Sequence, residues 1–147
     1  MRKTHGTEVD FKSWFMKSWA PHWSEAYEPR GGTGMGLPDV QVLINEVLLP
    51  LELKIGMEHD AILFPRDVRP AQIEWHRRFA AAGGNSAMLV GLPVDNKRRY
   101  RVRIVNGTNL NTWAKGYDWT SAPELHYPIT SSLAGWFLYG VGSCHGW

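Results

Sequence analysis

The sequence predicts a single α/β domain, a mixed β-sheet flanked by helices. Two observations carry this. Helix-period and strand-period apolar patterns follow each other in the order helix, hairpin, helix, strand, further strand, which a mixed sheet with helices packed on it accommodates best. The chain has 147 residues, 44% of them hydrophobic and 20% charged. That is the size and balance of one domain able to bury about two-thirds of its unfolded surface, and it excludes disordered and fibrous classes.

The first element is an amphipathic helix over Val9–Trp19, with Phe11, Trp14, Phe15 and Ser18 on one stripe, Thr7 as N-cap and Pro21 as stop. Residues 28–38 hold too many glycines and prolines for regular structure and form a loop. Asp39–Ile44 and Val47–Ile55, joined by Asn45-Glu46, read as a β-hairpin in which Pro50 marks an edge or a bulge. A mobile, charged connection, Gly56–Asp67, leads to a helix that starts at Pro70, runs to Ala82 and stops at Gly83-Gly84. Ser86–Leu92 is a short buried strand. Lys97–Val105 is a second strand, with Tyr100, Val102 and Ile104 on one face, Arg99, Arg101 and Arg103 on the other, and a turn at Asn106-Gly107. The Trp-, Gly-, Pro- and Ser-rich remainder has no assignable elements. The core occupies about residues 7–92, followed by the basic strand and a Trp-rich extension over 93–147.

Cys144 is the only cysteine, so a disulfide framework within the chain and a four-cysteine zinc site are excluded. No apolar run nears the roughly 18–20 residues of a membrane span. The N-terminus carries Glu8 and Asp10 where a secretory signal has its apolar stretch. A cytoplasmic protein is expected, with no membrane partner. Net charge is only +2, but five of the six Lys and Arg beyond residue 92 fall within Lys97–Arg103, which points to a local anionic partner.

The hairpin places three groups together. A turn centred on Asn45-Glu46 makes paired positions sum to 91, so Asp39 faces Glu52 on one face of the strand pair. Lys54, two residues on, projects from that same face, and Leu51, Leu53 and Ile55 from the other. Opposed carboxylates repel unless a cation or solvent intervenes. Either they decorate a solvated strand, or they hold a hard cation such as Mg²⁺. With a lysine beside it, such a centre has the equipment for metal-assisted phosphodiester hydrolysis.

Gly36-Leu37-Pro38-Asp39, the thirteen-residue step to Glu52-Leu53-Lys54, and Gln72 resemble the PD-(D/E)xK nuclease superfamily. The likeness is to its virus-type replication–repair (VRR-NUC) members and to Holliday-junction resolvase-like nucleases of phages, and it covers roughly residues 7–92. The resemblance implies a restriction-endonuclease-like core and a Mg²⁺-dependent endodeoxyribonuclease, with Mn²⁺ able to substitute. It implies metal binding by Asp39, Glu52 and the Leu53 carbonyl, catalytic assistance by Lys54, support from Gln72, and a further carboxylate from the first helix, for which Glu8 is the candidate. Glu8 is equally a first-turn carboxylate favoured by the helix dipole. The implied substrate is branched DNA. Paired cuts in a four-way junction imply a homodimer, acting in the host cytoplasm if phage-encoded. Alternatives are a flap, nick or site-specific (homing-type) duplex nuclease, and a catalytically silent DNA-binding or virion-associated module.

Arg30, Arg66, Arg69, Arg77, Arg99, Arg101 and Arg103 are the candidate DNA contacts. The last three span about 13 Å of one strand face, two or three backbone phosphates, although a basic edge strand also discourages aggregation. Gly31, Gly32, Gly34 and Gly36 would let backbone approach the strand carrying Asp39. His76 and Arg78 either meet phosphates or lie on a solvated helix face. His59, Asp60 and Glu58 are weighed as a second metal site. Trp14 and Trp75 sit at core positions. Trp113, Trp119, Trp136 and Trp147 are open to core packing, a dimer interface or base stacking.

Overall fold

The computed structural model describes residues 8–19, 24–26, 37–60, 62–94, 99–109, 117–118 and 122–137. Arg30, the glycines of the 28–36 loop, Trp113, Trp119, Trp147 and Cys144 lie outside them.

The helices are α1 (Glu8–Ser18), α2 (Pro70–Ala81) and α3 (Ile129–Gly135). In α1, Glu8 and Asp10 in the first turn and Lys17 in the last complement the helix dipole, while Phe11 and Phe15 are buried. Pro70 opens α2, and Gly83, at φ 97°, follows its end, as the start and stop signals predicted. The strands are β1 (Ser24–Ala26), β2 (Val40–Ile44), β3 (Val47–His59), β4 (Ile62–Pro65), β5 (Ala87–Val94), β6 (Arg99–Asn106), β7 (Tyr117–Asp118) and β8 (Glu124–Leu125). The main sheet has the order β1-β2-β3-β5-β6-β8. Its neighbours are antiparallel except β3 and β5, which run parallel and are joined through α2. The strands beyond residue 92 therefore extend the same sheet.

The β2–β3 hairpin has the expected register, Ile44 opposite Val47 through Val40 opposite Leu51. Asn45 and Glu46 both have positive φ, 50° and 68°, which is the turn geometry whose twist matches the flanking strands. Pro50 sits at a local edge of the sheet, one of the two expected settings, and not in a bulge. It pairs in register with Gln41, and β3 gains its second neighbour, β5, only from Leu51, so no ladder bond on that side requires a Pro50 N–H.

The stretch after Gly56 is not a mobile connection. β3 continues to His59, and β4 returns against it, with Gly56 opposite Pro65 and His59 opposite Ile62. Leu63 supplies the reason. It is fully buried with Met88, Val90, Leu92, Val105 and Ala122 in a core on one face of the sheet, where Val68 and Ile73 also pack. The larger core on the other face gathers Phe11, Phe15 and Trp19, the alternate β-strand residues, and Ile129, Leu133 and Trp136 of the α3 region. Trp136 is thus a core residue rather than part of an exposed surface. Gly91 lets α1 approach closely, since a Cβ there would come within 2.6 Å of the Phe11 ring. No helix among the described residues is long and apolar enough to cross a membrane.

Candidate active site

Strand alternation sends Leu51, Leu53 and Ile55 into the larger core and Glu52 and Lys54 to the opposite face. Both charged side chains are nevertheless buried, Glu52 at 1% exposure and Lys54 at 3%. Asp39 lies just before β2, at the position register assigns opposite Glu52. Its N–H donates to Leu51 O (3.1 Å) and its Oδ2 accepts from Leu53 N–H (2.8 Å). N–H and C=O of one strand residue leave on the same side, so the Leu53 carbonyl also faces toward Asp39, beyond the end of β2.

Glu52 is held from α2 by two donors. Gln72 Nε2 donates to Oε2 (2.9 Å), and Gln72 Oε1 accepts the Arg69 N–H (2.9 Å), which fixes the amide's orientation. His76 Nε2 lies 3.1 Å from Oε1, and His76 Nδ1 lies 2.6 Å from Ser86 Oγ. The imidazole is fully buried, not on a solvated helix face or reaching for phosphate. Its spacing of four from Gln72 puts both on one helix face, a signal the sequence did contain. Nothing local marked Ser86 as its partner.

Lys54 Nζ donates to the Asp67 carbonyl (2.8 Å) and lies 3.6 Å from Glu8 Oε2. That oxygen is buried with no hydrogen-bond partner. Burial pushes the Glu8 carboxyl up, Lys54 opposes this, and the charge of Asp39 adds to it. Glu52 is pushed up to about 9, first by burial and then by the neighbouring Asp39 charge, with Lys54 acting against both. Burial lowers His76 to about 4, so the ring is neutral at ordinary pH.

Three clustered carboxylates, two of them raised in proton affinity and one with an oxygen lacking a hydrogen-bond partner, form an environment short of positive charge. Asp39, Glu52 and the Leu53 carbonyl, with Glu8 at the rim, fit a hard divalent cation that retains several waters. Among the described residues no group of three or more His, Cys, Asp or Glu side chains is placed to hold a metal ion by itself, so a cation here would need the Leu53 carbonyl and water as further donors.

The other predicted residues divide. Arg66 and Arg69 are exposed on the segment carrying Asp67. Arg77 is exposed but chelated by Glu74, with Nη2 2.7 Å from each carboxylate oxygen. Arg99 is exposed at the start of β6. The uniform phosphate-binding face expected for β6 is corrected at Arg101 and Arg103. Arg101 donates to Glu58 (3.0 Å) and Glu124 (2.9 Å), while Arg103, 8% exposed, donates to Glu58 (3.2 Å) and the Ala122 carbonyl (2.7 Å). Glu58 is thereby withdrawn from the second-metal cluster, leaving an exposed His59–Asp60 pair at 3.3 Å.

The strand order, the parallel β3–β5 pair bridged by α2, and the carboxylate-bearing β2–β3 hairpin define a restriction-endonuclease-like α/β fold. Among solved structures, the Holliday-junction resolvase Hjc of the archaeal hyperthermophile Archaeoglobus fulgidus is similar, with a TM-score of 0.57 and 14% sequence identity over 84% of this chain and 98% of that one. No family model and no curated protein matches the sequence.

Proposed function

We propose that this protein is a metal-dependent endodeoxyribonuclease acting on branched DNA, in the manner of a Holliday-junction resolvase. The observation that carries the reading is the juxtaposition of half-buried Asp39 with buried Glu52 and Lys54 at the end of the hairpin. Likeness in fold to an archaeal resolvase supports the choice of substrate. A silent module has no need of this arrangement, because a buried carboxylate such as Glu52 is costly without a cation.

Asp39, Glu52 and the Leu53 carbonyl would hold Mg²⁺ or Mn²⁺, with Glu8 a further ligand, directly or through water. When bound, the ion supplies positive charge for the phosphoryl oxygens and lowers the pKa of water. Lys54, anchored by the Asp67 carbonyl, places its Nζ beside the carboxylates, where it can orient a nucleophilic water and oppose charge growing on the phosphate. Gln72, its amide oriented by the Arg69 N–H, holds Glu52 in place. Arg66, Arg69 and Arg99 are the exposed cations suited to the DNA backbone, and contacts of that kind confer affinity and salt dependence rather than sequence choice. Two coordinated cuts in a symmetric junction call for a homodimer.

The test is cleavage of a labelled four-way junction beside a sequence-matched linear duplex, in Mg²⁺ and then Mn²⁺. Paired symmetric cuts in the junction are expected, and Asp39→Ala and Lys54→Met should each lower cleavage by about a thousandfold or more. Equal cutting of both DNAs would leave a nuclease without junction preference. Absence of cleavage of either DNA with either metal would refute the proposal.

A further inference from the structure

We infer that His76 is a positioning residue for the metal-binding carboxylate: backed by Ser86, it donates one fixed N–H to Glu52 and sets that side chain's orientation toward Asp39. The inference rests on the endonuclease reading and extends it to two residues that touch neither metal nor DNA.

The assignment follows from donor and acceptor counting. With a divalent cation bound, Glu52 is ionised and only accepts, so in that state His76 Nε2, 3.1 Å from Glu52 Oε1, must carry the proton. A neutral imidazole then has a lone pair at Nδ1, and the Ser86 hydroxyl, 2.6 Å away, must be its donor. All three side chains are nearly or fully removed from solvent, with His76 at 0%, Glu52 at 1% and Ser86 at 4% exposure, so bulk water offers little substitute for a lost partner. Gly107 closes the far side: its N–H donates to Ser86 O (2.9 Å), and a Cβ at that position would collide with Ser86 Oγ. Gln72, one turn before His76, takes the other carboxylate oxygen. Helix α2 therefore grips Glu52 with two prongs four residues apart, each oxygen receiving one helix-borne donor. Partners of this kind hold metal ligands in orientation, and their loss typically weakens metal affinity roughly 10–100-fold.

The experiment is Mn²⁺ titration calorimetry on the full chain, comparing the parent with His76→Leu, His76→Gln, Ser86→Ala and Asp39→Ala, with folding of each checked by circular dichroism in EDTA. His76→Leu should weaken Mn²⁺ binding roughly 10–100-fold. His76→Gln, which returns an amide N–H near the Nε2 position, should recover most of that loss. Ser86→Ala, which leaves the ring but removes the group selecting its tautomer, should weaken binding several-fold. If His76→Leu does not fold, the Gln and Ser86 variants decide the matter. Parent-like Mn²⁺ affinity in the folded His76 variants and in Ser86→Ala would overturn the inference while Asp39-dependent binding kept the endonuclease reading intact. No Asp39-dependent binding in the parent would overturn both.

Discussion

Replacing Glu52 by glutamine should make the metal-free protein more stable while abolishing the proposed DNA cleavage. The Glu52 carboxyl ordinarily ionises near 4.5 and is pushed up to about 9 in the fold. At pH 7 the unfolded chain carries it ionised, and folding must take up a proton across about 2.5 pH units, a cost of about 3 kcal/mol. The sign is that of a raised carboxyl: its contribution is fully present below pH 4.5 and is lost progressively as pH rises toward 9. The amide of Glu52→Gln escapes this titration and can keep the same neighbours. Its oxygen accepts from Gln72, and its NH₂ donates to His76 Nε2 once the ring proton moves to Nδ1 and is donated to Ser86. At about 3 °C per kcal/mol for a chain of this length, Tm in EDTA at pH 7 should rise by roughly 10 °C. The gain should shrink toward zero near pH 4.5. Neutral His76 opposes acid stability below pH 6.5 in both proteins, so their difference isolates Glu52. Under the proposed function, saturating Mn²⁺ should reverse the order, because only the parent would bind it through Glu52. Thermal melts at about pH 5, 6, 7 and 8 test this. A variant no more stable than the parent at pH 7, or a gain that does not change with pH, would refute the reasoning.

Three other perturbations probe how the fold holds the site. Gly91→Ala should cost about 1–3 kcal/mol by forcing Phe11 and α1 off the sheet; Phe11→Leu in that background should return part of the loss, seen as non-additivity in a urea double-mutant cycle. Glu46→Gly, at a position with φ 68°, should gain about 0.5–1 kcal/mol in urea unfolding by relieving the left-handed conformation. Glu124→Gln breaks the forked contact with Arg101 (2.9 and 3.2 Å) that holds the Glu124 carboxyl below its usual range. It should cost about 1 kcal/mol at pH 7, with the difference disappearing as pH falls below the carboxyl range. Matched urea curves at about pH 7 and pH 3 check both limbs.

Short-range periodicity encodes the local part of this architecture. The two-residue turn and apolar runs set the β2–β3 register, and register with alternation placed Asp39 opposite Glu52 and Lys54 beside them. Pro70 and Gly83 bounded α2 because each favours a backbone geometry whatever surrounds it. The tertiary structure decided the rest. Glu58 looked like part of a charged loop, yet it belongs to a long strand because Arg101 and Arg103, more than forty residues away in sequence, neutralise it and Leu63 fills a second core. The same pairing removes two arginines from the face expected to meet DNA. His76 could be placed on the Gln72 face of its helix from spacing alone, but its role depends on Ser86 and Gly107, which reach it only when β5 and β6 join the sheet. A charge's meaning is set by its partner and by the water it loses, and both are fixed by which distant segments the fold brings together.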